Sequence, residues 1–558
     1  MTWLGPRPVL LALTLLFIAS CEPADREGPV RRPNLLLITV DTLRADRLGC
    51  YGLERARTET IDALAAEGTL FTAASTCISR TTQAIASAFT SRYPHQHGSI
   101  EIGDPVVPGL PNLAEILAEA GYVTAGISAN VVAGPREGLH RGFQEFVDAA
   151  TLVRRYPIWR DFRPPAEPPY ESWASAVTKE AGRWLRQQQG DRPFFLWLLY
   201  FDPHWLYNPP PPYDRVVDRE RFTYYDDFVA MRSRNATAYF NLDGSSERWR
   251  DELVRLYDAE VTVVDETIGR LLRLLSERDE AADTLVVFTS DHGESLGEHG
   301  YYYEHGDLVY DASMRIPLIF RWPGRIAAGR RVAAPASLLD LLPTLLTLLD
   351  LPAPDGAEFE GMDLAPLLTG SPNEIPDGLR GRVVLGESGS ALLPQNPLRH
   401  LGGTLTEKSE TASYLRHGKW VVQRLRESGA VRLHDAERDP LLERDVSRRH
   451  PDLLRELTTL LDATPILAGR WRMARDERWK LIRIPESKRV RWELYDLASD
   501  PHETRNVAAR RPQEVRRLRR HLEQWIAGIP AEPVAGREMT AEEIDAVRER
   551  LRSLGYID

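Results

Sequence analysis

Two nearly continuous apolar stretches that end on acidic or histidine residues constrain the fold of this chain more than any other feature. The first stretch is Asn34–Val40 and is followed by Asp41, and the second is Thr284–Thr289 and leads to Asp291 and His292. A strand that is apolar on both faces belongs inside a mainly parallel sheet that is covered by helices on each side. The two stretches therefore predict buried central strands of such a sheet.

Further apolar runs alternate with amphipathic segments along the chain. Pro193–Tyr200 and Ile316–Phe320 are typical of strands, whereas Leu110–Ala120 and Ala259–Glu277 are typical of helices. Strands that alternate with helices indicate an α/β fold. We predict a large mixed, mainly parallel sheet flanked by helices, with a smaller C-terminal α+β region.

Polar residues follow several of these predicted strands. In α/β sheets, ligands bind beyond the carboxyl ends of the strands, and Asp41, Asp202, His204, Asp291 and His292 all fall there. A single Asp after a strand is more often a helix N-cap or a turn residue. Several strands that end in this way together predict one polar site at one edge of the sheet.

Composition excludes several classes of protein. The chain has 558 residues with 70 Lys+Arg against 81 Asp+Glu, a net charge of −11. This acidic balance argues against a nucleic-acid binder, which needs a basic face. With 43% hydrophobic residues the chain is typical of globular proteins, and its three cysteines exclude a disulfide scaffold.

The N-terminus is typical of an export signal. The apolar run Val9–Ile18 is short for a bilayer span and indicates a signal peptide over residues 1–20. The sequence Ile18–Cys21 resembles a bacterial lipobox, whose cysteine is lipidated, and the alternative is an ordinary secretory cleavage nearby. We predict an exported protein of the cell envelope (periplasm), bound to a membrane through Cys21, with a flexible tether at 21–32.

Nine residues of the C-terminal part recur without a gap 61 residues later. Each copy, at about 419–460 and 480–521, predicts two strands, an Asp-Pro turn and a helix, a ββα unit. We favour a small sheet packed on the main domain, and the alternative is a lid over the substrate. The chain then divides into a catalytic domain at 33–385, a C-terminal region at 386–530 and a tail at 531–558. The recurring pairs are Lys419 and Lys480, Leu433 and Leu494, Asp435 and Asp496, Asp439 and Asp500, Pro440 and Pro501, Arg444 and Arg505, Val446 and Val507, Pro451 and Pro512, and Leu457 and Leu518.

A series of motifs carries a family resemblance. The motifs are Arg32–Asp46, Thr90–Gly98, Asp202–Tyr207, Ser290–Gly300, Glu304–Gly306, Arg315–Ile319 and the closing Leu554–Ile557. In this order they resemble the sulfatase family of the alkaline phosphatase superfamily, in a bacterial lipoprotein-type member. The resemblance extends from about Pro33 to Leu368 and implies a hydrolase of sulfate or phosphate esters.

The resemblance implies a cation site, and ester chemistry explains the need for one. Hydrolysis of such an ester requires an in-line nucleophile and positive charge around the non-bridging oxygens. A divalent cation held by carboxylates supplies that charge. By resemblance Asp41, Asp291 and His292 are the ligands of Ca, Mn, Zn or Mg, and the imidazole suits Zn or Mn. Asp46 is a candidate fourth ligand, but an acid at a helix N-terminus is the favoured interpretation.

The sequence departs from the family pattern at the nucleophile. Sulfatases carry a Cys or Ser followed by x-Pro-x-Arg, which is converted to formylglycine, whereas this chain has Thr81 there, followed by Thr82–Ile85. Cys77 is followed by Arg80, but it lacks the proline and lies four positions out of register. We interpret Cys77 as a buried cysteine or a disulfide partner of Cys50, and we leave the disulfide open.

Threonine at the nucleophile position resembles the phosphoethanolamine and phosphoglycerol transferases of the same superfamily. That resemblance implies that Thr81 attacks the ester and also binds the metal, aided by the N-terminus of a helix at Thr82–Ser91. A helix N-cap role for Thr81 is compatible with this. Gly121–Thr124 leads to Ser128–Val131 without the lysine and histidine that sulfatases have there, and Asn130 is either an anion contact or a turn residue.

Besides His292, five histidines fall within the family motifs. His204 and His305 are predicted to bind the anion, protonate the leaving group or ligate a second metal, because an imidazole transfers protons near neutral pH. The alternative for each is a structural histidine. His95, His97 and His299 are interpreted as residues that brace the loops of the site.

These features predict a metal-dependent hydrolase or transferase of sulfate or phosphate esters, with Thr81 in place of formylglycine. Its partner would be an anionic small-molecule, glycan or lipid ester, and no nucleic acid. One alternative is a conventional, arylsulfatase-like sulfuric ester hydrolase. Another is a catalytically inactive binding protein of the envelope, which the retained Asp-His cluster disfavours, since an idle site has no need for clustered buried carboxylates.

Overall fold

The main sheet is built around the strand β1 (Asn34–Val40), and all seven residues of this strand are buried. The computed structural model describes residues 32–530 except those in short gaps. The predicted signal peptide at 1–20, nearly all of the tether and the tail at 531–558 therefore lie outside the described residues. The gaps are at 102, 159–170, 189, 191, 219–220, 226–247, 371–374, 390–403, 409–411, 418, 426–427, 437, 440–441, 443, 464–469 and 486–488.

The described strands are β1 (Asn34–Val40), β2 (Thr69–Phe71), β3 (Ala74–Ser75), β4 (Val123–Ser128), β5 (Glu145–Val147), β6 (Phe194–Tyr200), β7 (Thr284–Ser290), β8 (Ser295–Leu296), β9 (Tyr302–Glu304), β10 (Leu318–Arg321), β11 (Arg330–Val332), β12 (Ala336–Ser337), β13 (Val384–Glu387), β14 (Thr404–Lys408), β15 (Ala412–His417), β16 (Trp420–Leu425), β17 (Val431–Asp435), β18 (Arg472–Arg475), β19 (Trp479–Pro485) and β20 (Val490–Asp496). The described α-helices are α1 (Glu59–Glu67), α2 (Thr81–Thr90), α3 (Pro94–His97), α4 (Leu113–Glu119), α5 (Ala149–Arg155), α6 (Trp173–Gln187), α7 (Arg250–Glu277), α8 (Asp311–Met314), α9 (Leu341–Leu348), α10 (Ala365–Thr369), α11 (Pro451–Ala463) and α12 (Pro512–Ala527).

Eight strands form the main sheet in the order β11-β2-β10-β7-β1-β6-β4-β5. The run from β7 to β5 is parallel throughout, and β10 pairs antiparallel with both β7 and β2. Val40 is opposite Tyr200 of β6 and Ser290 of β7, so neighbouring strands end at the same level. The predicted mixed, mainly parallel α/β sheet is confirmed.

The two faces of β1 belong to two separate cores. Leu36 and Ile38 pack in the core that includes α6 and α7 residues, whereas Leu35 and Leu37 pack in the core that includes α2, α4 and α9 residues. Because successive side chains of a strand point to opposite faces, a strand covered on both sides must be apolar at nearly every position. This explains the continuous apolar run in the sequence.

Two smaller antiparallel sheets form the C-terminal region. One has the order β14-β15-β16-β17 and precedes α11, and the other has the order β13-β18-β19-β20 and precedes α12. They agree with the predicted smaller α+β region, while the exact domain boundaries stay predictions. Among the described residues, no helix combines the length and apolar character that crossing a bilayer requires.

Candidate active site

Four neighbouring strands bring their polar ends to one edge of the sheet. Asp41 follows β1, the pair Asp291 and His292 follows β7, His204 lies beyond β6 and Asn130 lies beyond β4. All five residues are buried. The first four were predicted to lie at this edge, and for Asn130 the sequence left two roles open, an anion contact or a turn residue.

Two carboxylates and an imidazole converge at this edge. One ligand atom each from Asp41, Asp291 and His292 lies within 4.8 Å of the others. Asp291 Oδ1 accepts hydrogen bonds from the backbone N–H groups of Thr42 (3.2 Å) and His292 (2.8 Å), and Asp41 Oδ2 accepts one from Asn130 Nδ2 (2.5 Å). Asp41 Oδ1 and Asp291 Oδ2 are buried without a hydrogen-bond partner among the described residues. Each carboxylate is thus held by one oxygen and presents the other.

The protonation of these groups fits a divalent cation. Burial and the nearby Asp291 charge raise the pKa of Asp41 well above its ordinary value, and a bound cation would relieve both effects. His292 Nδ1 donates to the Gly293 carbonyl (3.0 Å), which leaves Nε2 unprotonated in the neutral ring, 3.4 Å from Asp291 Oδ2. Burial lowers the pKa of His292, which keeps that ring neutral. The donor set and its unpaired oxygens therefore fit such an ion.

Thr81 is the first residue of α2 and faces this cluster. Its Oγ1 lies 3.3 Å from His292 Nε2 and 3.4 Å from Asn130 Nδ2. Asn130 Oδ1 accepts from the Val132 backbone N–H (2.9 Å), so the amide NH₂ is turned toward Thr81 and Asp41. The positive end of the α2 dipole favours negative charge at the Thr81 hydroxyl.

His305 and His204 extend the site outward from His292. The His305 ring centroid is 4.3 Å from that of His292 and 5.2 Å from that of His204. A hydrogen bond joins His305 Nδ1 to Glu294 Oε1 (3.0 Å), and His204 Nδ1 donates to the Trp205 carbonyl (2.6 Å). Burial lowers the pKa of His305 well below its ordinary value and that of His204 to about 3, so both rings are neutral.

Sequence reasoning missed Arg80 and Glu294, which the structure places beside these groups. Arg80 was weighed only as part of the motif that begins at Cys77, although it directly precedes Thr81. Glu294 stands two residues after His292 and could have been found from the strand-end pattern. The contact that makes Glu294 relevant, its bond to His305, joins different loops and is not encoded in local spacing.

Asp46 and Asp202, two other acids named in the sequence analysis, have other partners. Asp46 lies in a 3-10 turn and pairs with Arg44 (2.7 Å). Burial alone would raise the pKa of Asp46, but the Arg44 guanidinium lowers it well below its ordinary value. Asp202 accepts from the backbone N–H of Ala174 (2.7 Å) at the start of α6. Both acids therefore have partners outside the cluster of Asp41, Asp291 and His292.

The remaining motif histidines contact a helix residue and aromatic rings. A hydrogen bond joins His97 to the Ser87 hydroxyl (3.1 Å), His299 stacks on Tyr310 with a centroid distance of 3.6 Å, and His95 packs against aromatic rings. These contacts agree with a bracing role.

Cys50 and Cys77 are both free thiols. Cys77 is buried in the core that α2 shares with the sheet, and burial raises the pKa of its thiol to about 12. A thiol with that pKa is a poor nucleophile at neutral pH.

Comparison with known proteins gives a consistent result. A protein-family model described as Sulfatase matches residues 33–351. The chain is 29% identical over 358 residues to the uncharacterized sulfatase YidJ of Escherichia coli (strain K12), covering 58% of this chain and 69% of that protein. It is 29% identical over 416 residues to arylsulfatase A of Homo sapiens, covering 68% and 76% of the two chains. Its fold is similar to the phosphonate monoester hydrolase of Agrobacterium radiobacter, with a TM-score of 0.59 and 22% identity over 92% of this chain and 99% of that one.

Proposed function

The chain belongs to the sulfatase family, and from this premise we propose that it cleaves sulfate or phosphate esters with Thr81 as the nucleophile. Asp41, Asp291 and His292 would hold a divalent cation, and Thr81 would be its fourth protein ligand. The observation that carries the proposal is the position of the Thr81 hydroxyl, 3.3 Å from His292 Nε2.

The surroundings of Thr81 support its activation. When bound, the cation supplies positive charge to the ester oxygens and lowers the pKa of a nearby hydroxyl. Asn130 donates to Asp41 and lies within reach of Thr81 Oγ1, so it orients the hydroxyl relative to the carboxylates. The start of α2 favours the alkoxide through its dipole.

The two outer histidines suit the leaving group and the anion. Burial keeps both rings neutral, and an anionic ester beside them would raise their pKa. A histidine protonated in this way can donate its proton to the leaving oxygen. His305 is held by Glu294, and it lies between His292 and His204.

A formylglycine mechanism has less support in this chain. Its precursor would have to stand at the start of α2, where the residue is Thr81, and Cys77 is a buried thiol of raised pKa. The names of the relatives, which include an arylsulfatase, favour a sulfate ester as the substrate. An anionic glycan or lipid ester would suit a protein of the cell envelope.

A substrate panel tests the nucleophile. Purified full-length protein is assayed with an aryl sulfate, a phosphate monoester and a phosphodiester, with Mn, Zn, Mg or Ca added in turn. Thr81→Ala should lower kcat by about 10⁴-fold or more, because it removes the group that forms the covalent bond. The matched control is Thr82→Ala, whose hydroxyl donates instead to the Val132 carbonyl.

Two results would overturn the proposal. Sulfate turnover that is intact in Thr81→Ala would favour a conventional sulfatase mechanism with another nucleophile. No turnover of any ester, together with no metal binding in calorimetry, would favour the inactive binding protein.

Export and membrane attachment are proposed on the lipobox-like Ile18–Cys21. The mass of the mature N-terminus should show a lipidated Cys21, and Cys21→Ala should release the protein from the membrane fraction. An unmodified N-terminus cut at another residue would contradict the anchor.

A further inference from the structure

Arg80 places a permanent positive charge immediately before the proposed nucleophile. Its backbone is extended (φ −142°, ψ 130°) and α2 begins at the next residue. The side chain is 13% exposed, and its guanidinium donates to Asp307 Oδ1 (3.3 Å). The other oxygen of Asp307 accepts from the Tyr301 hydroxyl (3.0 Å), which fixes the carboxylate that holds Arg80.

Two glycines make room for this side chain. A Cβ on Gly306 would lie 2.0 Å from Arg80 Nε, and a Cβ on Gly389 would lie 2.3 Å from Arg80 Cγ. The Gly389 backbone N–H donates to the Gly306 carbonyl (2.5 Å), so the two glycines are joined. Because Gly306 directly follows His305, this cradle holds the guanidinium next to the loop that carries His305.

The charge of Arg80 acts on the site. In addition to burial, it contributes to the lowered pKa of His204. Within the part of the chain that the structure describes, Asp307 is the hydrogen-bond partner of its guanidinium. A guanidinium has five N–H donors, so most of its hydrogen-bonding capacity remains for an anion.

We infer that Arg80 binds the non-bridging oxygens of the ester that Thr81 attacks. This inference rests on the proposed function. The chain lacks the lysine and arginine of the formylglycine-type pattern, and Arg80 would supply fixed positive charge in their place. A planar guanidinium can contact two oxygens of a sulfuryl or phosphoryl group at once, and it keeps its charge at any working pH. Arg80 is thus a substrate-binding residue and a determinant of anion specificity.

Substitution of Arg80 tests the inference on the best substrate of the panel. Arg80→Ala should lower kcat/KM by about 100-fold, and Arg80→Lys by about 10-fold, because lysine keeps the charge but loses the paired donors. The affinity for inorganic phosphate or sulfate as competitive inhibitors should fall by about 10-fold or more in Arg80→Ala. Added guanidinium chloride should restore part of the activity of Arg80→Ala.

Three controls separate substrate binding from structure. Arg92→Ala removes an arginine of similar exposure (18%) that pairs with Glu358 (3.5 Å), and it should keep kcat/KM within twofold without a response to guanidinium. Gly389→Ala should displace the Arg80 side chain and lower kcat/KM while Thr81 is unchanged. Metal binding in calorimetry should be the same in the wild type and all Arg80 variants.

The possible results distinguish the role of Arg80 from the role of Thr81. Activity within twofold of wild type in Arg80→Ala would overturn the inference, as would a loss of activity accompanied by loss of metal binding and no rescue by guanidinium. If Arg80→Ala does not fold, unchanged inhibitor affinity in Arg80→Lys and Gly389→Ala would overturn it. Full activity in Thr81→Ala would instead contradict the proposed function, and that result is independent of Arg80.

Discussion

The two copies of the C-terminal repeat make the same turn with different side chains at its centre. In each copy an aspartate, Asp439 or Asp500, accepts a hydrogen bond from the backbone N–H five residues later (2.6 and 2.8 Å). The residue three positions after it, Leu442 or Glu503, has a positive φ (54° and 55°). The conserved spacing within the chain therefore specifies the backbone, whereas the residue with positive φ is apolar in one copy and acidic in the other.

The lysine that opens each copy differs in its surroundings. Lys419 pairs with Asp435 of its own copy (2.9 Å) and its side chain is 34% exposed. Lys480 is 0% exposed and pairs with Asp311 of α8 (2.7 Å) and with Glu503 (2.9 Å). The same residue type thus makes a surface pair in one copy and a buried link to α8 in the other.

Apolar packing shows the same difference. Residues of the second copy, such as Ile482 and Tyr495, share a core with Tyr301 and Leu308, and the Tyr301 hydroxyl donates to the His305 carbonyl (2.9 Å). Residues of the first copy pack in clusters drawn from its own sheet and α11. A duplicated unit can therefore keep one local fold while, among the described residues, the second copy packs against the segment that carries His305.

Substitution of Lys480 and of Lys419 should give the largest difference in stability between the two copies. Lys480→Met should lower the free energy of unfolding by about 4 kcal/mol, because it removes the ammonium group that the buried carboxylates of Asp311 and Glu503 share. Lys419→Met should cost less than about 1 kcal/mol, since its pair is near the surface. Urea unfolding followed by tryptophan fluorescence measures both, and equal losses would contradict the contrast.

Equivalent apolar residues of the two copies test whether packing reaches the site. Ile482→Ala should cost about 3 kcal/mol through a cavity and lower kcat/KM several-fold, because it loosens the core that contains Tyr301. Val421→Ala, at the equivalent position of the first copy, should reduce stability without a change in kcat/KM. Ester assays at a temperature where both variants are folded distinguish them, and a similar loss of activity in both would remove the distinction.

Glu503 should make the stability of the second copy depend on pH. Burial raises the pKa of Glu503 from 4.5 to about 7, so the folded state binds this proton more tightly than the unfolded state does. The resulting stabilisation is complete below about pH 4.5 and is lost as the pH rises through 7; it is on the order of 3 kcal/mol. Glu503→Gln should flatten this part of the pH profile of urea unfolding, and Leu442→Gln in the first copy is the matched control. A profile that Glu503→Gln leaves unchanged would argue against the raised pKa.

The smallest effect on stability is expected at a position where the two copies have different residues that accept the same backbone hydrogen bond. Asp445 Oδ1 accepts from the Leu433 backbone N–H (3.2 Å), and Asn506 Oδ1 accepts from the equivalent Leu494 N–H (3.1 Å). Asp445→Asn should therefore change the free energy of unfolding by less than about 0.5 kcal/mol. A loss above about 1 kcal/mol would show that the carboxylate has a role that the amide cannot fill.

Much of the sheet could be predicted from the sequence because its central strands are buried on both faces. β1 has the predicted bounds Asn34–Val40, and β7 extends the predicted strand by one residue to Ser290. The antiparallel direction of β10 was not predicted, since an apolar run has no direction. The start of α7 at Arg250 lies nine residues before the predicted segment, and Leu253, Leu256 and Tyr257 continue its buried face there.

The strand-end pattern and the family resemblance predicted different parts of the candidate site, and the resemblance supplied Thr81 and His305. Asp41, Asp291, His292 and His204 were found from that pattern, and the roles assigned to them and to Thr81 and His305 stay predictions. Glu294 and Arg80 were missed because each acts through a partner on another loop.

The sequence by itself determined the α/β sheet, the strand ends that carry the acids and the internal repeat, because these follow from local periodicity and spacing. Only the tertiary structure decided that Asn130 joins Asp41 to Thr81, that Arg80 is cradled by Gly306 and Gly389, and that the second repeat packs against residues on both sides of His305. The physical reason is that burial and charge pairing depend on contacts between segments that are distant in the chain, and local composition does not specify those contacts.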